Sequence, residues 1–142
     1  MSYATYLTGF FNRTKQDKII RSVRKIIKQK KVNFDGFVVT GVSGILIGSI
    51  LSRSLKKELV IVRKEEDYKN SHTFYKVENY KSNKRYIFVD DLIASGSTFA
   101  RVQKELKEFH KIEKIKGRSS KIIGTILYDD ISYKKDVGFF IY

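Results

Sequence analysis

The chain has 142 residues, with 29 Lys and Arg against 15 Asp and Glu, giving a formal net charge of +14. It has no cysteine, which excludes a disulfide scaffold, a Cys-ligated zinc and a thiol nucleophile; 42% hydrophobic and 13% aromatic residues exclude a disordered tail. The length fits one domain over 1–142, and the basic excess favours an anionic partner: nucleic acid, a membrane surface or a phosphorylated small molecule.

Residues 1–33 open the chain. Tyr3, Tyr6, Leu7, Phe10 and Phe11 make an aromatic segment suited to covering one end of a core. Neither a signal peptide nor a membrane span is expected. The start MSYATYLTGFFNRTK lacks a charged head and a clean apolar run. The longest apolar stretch, Val42 to Leu51, is broken by Ser43, Gly44, Gly48 and Ser49 and stops at Arg53, whereas a span needs about 20 apolar residues. A soluble, cytoplasmic protein is the expectation.

The spacing of Ile19, Ile20, Val23, Ile26 and Ile27 predicts an amphipathic helix over 15–31. Lys18, Arg21, Lys25 and Lys28 fill its other face, which reads either as a solvated surface or as a contact for a phosphate backbone. Residues 37–42 (FVVTGV) read as a buried β-branched strand, 43–55 as a helix, and 58–64 (ELVIVRK) as a second strand. Residues 65–84 are polar and read as a long loop with room for a weak hairpin, a length usual for functional lids or disordered segments. A third strand over 86–90 is followed by a helix with Phe99, Val102, Leu106 and Phe109 on one face. Residues 121–128 (KIIGTILY) predict a fourth strand and 137–142 a fifth, at the edge. Strands alternating with helices predict an α/β fold, a parallel sheet of about five strands flanked by helices. Ligands bind such sheets at the carboxyl ends of the strands, which makes 40–44, 63–64, 90–98 and 128–130 the candidate site residues.

The most informative stretch is YIFVDDLIASGST, residues 86–98. Apolar strand residues run into Asp90 and Asp91, then small and hydroxylated residues open a helix. Backbone N–H groups and the helix dipole make such a turn an anion site. Two acids beside it do not bind phosphate themselves. They suit sugar hydroxyls, or a divalent metal carried by phosphates. Adjacent carboxylates at the end of a buried strand pay desolvation and mutual repulsion, which weighs against a merely capped turn.

This stretch resembles the ribose-phosphate signature of the type I phosphoribosyltransferases, and the order of elements over 34–142 is similar to their Rossmann-like fold. The resemblance implies binding of 5-phosphoribosyl 1-diphosphate with Mg²⁺ and transfer of the phosphoribosyl group to a nitrogenous base. It assigns Asp90 and Asp91 to the ribose hydroxyls and the metal-bound substrate, the latter in part indirectly. It assigns Ala94, Ser95, Gly96, Ser97 and Thr98 to the 5-phosphate. Thr40, Gly41, Val42, Ser43 and Gly44 match the diphosphate loop, with Arg63 and Lys64 beside it. The stretch RKEEDYKNSH is similar to the orotate branch, which implies catalytic roles for Lys69 and His72 on a mobile loop. For the base, Tyr128 and Asp129 stand at the end of the fourth strand. Asp129 accepts hydrogen bonds, which suits an amino or ring N–H donor; it is equally readable as a surface acid. The 1–33 segment or the C-terminal tail would serve as a hood, and the family's frequent dimers imply a homodimer. His110, near a helix end, reads as structural or solvated.

Two rivals stand beside this reading. One is a non-catalytic regulator on the same fold that binds phosphoribosyl diphosphate or nucleotide together with nucleic acid. The other is a phosphatase-like or kinase-like Mg²⁺ site, which would want a GxxxxGK[ST] loop that the sequence lacks.

Overall fold

The structure, a computed structural model, describes residues 12–64, 76–91, 96–128 and 138–142. The chain begins with α1 (Arg13–Lys30), whose first turn is closed by Asn12: its Oδ1 accepts from the N–H of Lys15 at 3.2 Å. Then follow β1 (Gly36–Val39), α2 (Gly41–Leu55), β2 (Glu58–Val62), β3 (Val77–Glu78), β4 (Arg85–Asp90), α3 (Ser97–Ile112), β5 (Lys121–Leu127) and β6 (Gly138–Ile141).

The six strands form one sheet in the order β3-β2-β1-β4-β5-β6. Its centre, β2-β1-β4-β5, is parallel, as expected. The two edges are antiparallel: β3 pairs with β2, and β6 with β5. An antiparallel neighbour needs no crossover helix, so short segments can finish both edges. β3 lies inside the stretch read as loop. Its two residues are too few to show a period, and only Val77 is apolar and buried.

Both faces of the sheet are covered, so its central strands are apolar throughout. Phe37, Val39, Ile87 and Val89 pack against Ile19 and Val23 of α1 and Ile47 and Leu51 of α2. Val38, Val60, Tyr86 and Phe88 pack against Val102 and Leu106 of α3 on the other face. A register shift between Tyr86 and Ile87 moves β5 by one residue, so Ile122 and Ile126, of equal parity, serve opposite faces. Close packing of α2 rests on Gly48: a Cβ there would lie 2.4 Å from Val39 Cγ1. Among the described residues no helix is long and apolar enough to cross a membrane.

The amino ends of the strands are stitched together by polar groups. Asp35 accepts from the N–H of Arg85 at 2.8 Å, and Ser120 Oγ from the N–H of Lys84 at 2.9 Å. The Tyr80 hydroxyl bonds His110 Nδ1 at 2.7 Å and accepts from the N–H of Ser120 at 2.9 Å. His110 Nε2 lies 3.2 Å from the Gly117 carbonyl, so of the two readings, structural or solvated, its two ring contacts favour the first. Burial pushes the Tyr86 phenol up to about 12, while its hydroxyl bridges the N–H and carbonyl of Lys81.

Candidate functional site

β1 and β4 are neighbours in the sheet, yet the helices that follow them leave to opposite faces. This is the place where an open α/β sheet splits and a crevice opens beyond the carboxyl ends. Thr40 to Gly44 line one side of it, and Asp90, Asp91 and the start of α3 the other. The two sides are close: a Cβ on Gly44 would lie 3.8 Å from the carbonyl of Val89.

Helix α2 starts at Gly41, two residues earlier than the pattern predicted, and β1 stops at Val39. Gly41 has φ +72°, a conformation glycine adopts freely, and a Cβ there would lie 3.0 Å from Lys64 Cε. The Lys64 ammonium therefore rests over the beginning of α2. Thr40 is buried, and its hydroxyl makes no cap bond. Instead it accepts from Arg101 Nη2 at 2.8 Å. Helix α3 starts similarly open: Gly96, at φ +74°, precedes it without a side-chain cap. Neither helix has an acid in its first turn. Two helix dipoles thus point at one crevice with no carboxylate of their own to satisfy them.

Asp90, half-buried, ends β4. Burial raises its pKa above the usual carboxylate value; the N–H of Asp91, donating to Oδ1 at 2.9 Å, and the nearby Lys64 charge pull the other way. No cluster of three or more metal-ligating side chains exists among the described residues. Two carboxylates alone suit a divalent ion that brings most of its oxygen ligands with a polyphosphate, and do not suit an all-protein cage.

Other expected residues are distributed less simply. Val42 is 61% exposed at the start of α2, and Ser43, Ser97 and Thr98 are at least partly open. Arg63 turns away from Lys64: its guanidinium pairs with Glu78 Oε1 at 3.3 Å. Glu78 stands opposite Ile61, two residues before Arg63, so strand alternation puts both on one face. The Tyr128 side chain, expected at the base, is packed in the core beside α1 and α2 instead, because β5 stays buried on both faces to its last residue. Its N–H donates to the Asp90 carbonyl at 3.1 Å, which extends the β4–β5 pairing by one rung. Lys69, His72, Ala94, Ser95 and Asp129 lie outside the described residues.

Sequence reasoning passed over Arg101. From the second turn of α3 it reaches Thr40 on one strand end and the Arg63 carbonyl, at 3.4 Å, on another. Its one signal was a cation near the positive end of a helix, where the dipole disfavours it.

The Phosphoribosyl transferase domain model matches residues 12–137. Over 88 residues the chain is 32% identical to the transcriptional regulator GfcR of Methanocaldococcus jannaschii, an alignment covering 58% of this chain and 42% of that protein. Over 124 residues it is 23% identical to the adenine phosphoribosyltransferase of Mycoplasma mycoides subsp. mycoides, covering 78% and 68%. The crystal structure of adenine phosphoribosyltransferase from Thermoanaerobacter pseudethanolicus superposes with a TM-score of 0.63 at 17% identity, covering 88% of this chain and 74% of that one; this shows a shared fold.

Proposed function

Because the chain belongs to the phosphoribosyl transferase domain family, we propose that it is a phosphoribosyltransferase acting as a single domain over 1–142. It moves 5-phosphoribosyl from 5-phosphoribosyl 1-diphosphate to a nitrogenous base and releases diphosphate, as in nucleotide salvage or synthesis. The observation that carries this reading is the pair of uncapped helix starts on either side of Asp90 and Asp91. A substrate with a phosphate at each end and a diol between them matches that order.

The start of α3, with Gly96, Ser97 and Thr98 and the preceding Ala94 and Ser95, takes the 5-phosphate. Asp90 and Asp91 hold the ribose hydroxyls, and their charge steadies the oxocarbenium-like sugar as the bond to diphosphate breaks. Backbone N–H groups over 41–44 and the Lys64 ammonium receive the negative charge that grows on the leaving group. Arg101, tied to Thr40 and the Arg63 carbonyl, sets the spacing of these strand ends. Arg63 acts through its backbone. By resemblance, Lys69 and His72 close over the diphosphate, excluding water that would hydrolyse the sugar. Asp90 and Asp91 would hold Mg²⁺ together with the substrate's oxygens; the ion supplies neutralisation of diphosphate charge.

Asp129 favours a base offering an amino or N–H donor. Adenine, named for the M. mycoides relative, has one, and an orotate-like ring N–H is another. The test is incubation with phosphoribosyl diphosphate, Mg²⁺ and a panel of adenine, hypoxanthine, guanine, orotate and uracil. Diphosphate release that depends on one base is the expected result. Substrate binding with no transfer to any base would overturn it and leave the regulator reading, which the similarity to GfcR favours.

A further inference from the structure

Helix α1 carries eight Lys and Arg and one acid, Asp17. Its apolar side, with Ile19 and Val23 buried, belongs to the core. Lys18, Arg21, Lys25 and Lys28 recur at intervals of three and four residues, so they form one stripe, and all four are exposed. None has a carboxylate within ion-pair distance among the described residues. By contrast, α3 mixes signs, and its charges pair: Lys104 with Glu108 at 3.9 Å, and Glu105 with Lys76 at 3.7 Å.

Like charges three and four residues apart destabilise a helix. Lys28 gains something back from the helix dipole, being in the last turn; Lys18, Arg21 and Lys25 do not. The stripe thus costs stability without an intramolecular return, which is the expected condition of a surface whose counter-charge comes from elsewhere.

From this surface we infer that the α1 stripe binds the phosphate backbone of a nucleic acid duplex without regard to sequence. The inference stands on surface charge; it supplies a partner for the regulator reading and does not depend on the transferase one. A membrane-surface helix inserts its apolar side into lipid, and here that side is used in the core. A single-strand binder stacks bases on aromatics, and the stripe has none. Four cations over roughly 15 Å of helix match the close, regular charge of a duplex backbone.

The experiment measures binding of the full chain to short mixed-sequence duplex DNA, duplex RNA and phosphatidylserine vesicles over a salt series. Four phosphate contacts predict a log–log slope of about −3.6 on B-DNA, a loss of roughly 150-fold between about 50 and 200 mM salt. The variant K18Q/R21Q/K25Q/K28Q should lose that slope, while its thermal midpoint holds or rises because repulsion is relieved. The control K107Q/K111Q/K114Q/K116Q removes the same charge elsewhere and should bind as the parent does. The duplex bound more tightly, DNA or RNA, identifies the source of the backbone. An unchanged slope in the stripe variant, equal loss in the control, no duplex binding at the lowest salt, or tighter binding to vesicles would each overturn the inference. Diphosphate release by the stripe variant reports separately on the transferase reading.

Discussion

The two ends of the central sheet treat their polar groups in opposite ways. At the amino ends, Asp35, Tyr80, Asn83, His110 and Ser120 bond backbone groups and one another, and among the described residues Glu58 Oε2 and Ser119 Oγ are the buried atoms there that make no such bond. At the carboxyl ends, α2 and α3 begin without side-chain caps, and Asp90 keeps its carboxylate under partial burial. The helix starts repeat this contrast: α1 is capped by Asn12, whereas Thr40 gives its hydroxyl to Arg101 and leaves α2 open. One end ties most of its side-chain polar groups to backbone, and the other begins two helices without side-chain caps.

The strongest way to break the comparison is Asp91→Asn. It should lower kcat/KM for base-dependent diphosphate release about 10²- to 10³-fold, roughly 3–4 kcal/mol of transition-state stabilisation, with little change in thermal midpoint. Turnover like the parent's would remove the twin acids from the chemistry. Arg101→Ala comes next. Losing a charged donor shared by two strand ends should cost about 1.5–3 kcal/mol, seen as a fall of tenfold or more in kcat/KM. Arg101→Lys should restore little, since an ammonium cannot reproduce the planar fork. Full recovery in the lysine variant would show that charge alone mattered.

At the opposite end, Tyr80→Phe strips the N–H of Ser120 and the His110 ring of a partner. Differential scanning calorimetry should show a midpoint lower by several degrees, for about 1–2 kcal/mol, with kcat/KM retained. Lost activity at unchanged stability would erase the division between the ends. The smallest effect concerns Asp90. Its raised pKa means that the folded state binds a proton more tightly than the unfolded chain does. Stability therefore falls as pH rises from the ordinary Asp value through the raised one. Asp90→Asn escapes that loss, so denaturant unfolding at neutral pH should find it more stable than the parent, with the gain vanishing below that window. A variant less stable at neutral pH would mean that the Lys64 charge and the Asp91 N–H outweigh desolvation.

The parallel core and its helices were legible because β-branched runs and 3.6-residue periods are local signals. YIFVDDLIASGST marked the carboxyl end of β4 for the same reason: strand, acids and helix start are contiguous in the chain. Less legible were β3, with two residues, and the fate of Arg63, whose partner Glu78 sits 15 positions away. Tyr128 reads as the last residue of its strand, at the end where ligands bind, yet its side chain is buried.

Sequence by itself determined the central strands and the helices packed on them, that the chain is strongly basic, and that an acid pair adjoins an anion-type turn. These follow from composition and from patterns a few residues long. Only the tertiary structure decided that α2 and α3 open toward one crevice, that Arg101 joins its walls, that Lys64 rests over the start of α2 while Arg63 pairs with Glu78, and that the cations of α1 share one uncompensated stripe. Such facts depend on which face each helix covers and on side chains separated by up to 61 positions, such as Thr40 and Arg101, and no local pattern encodes that distance.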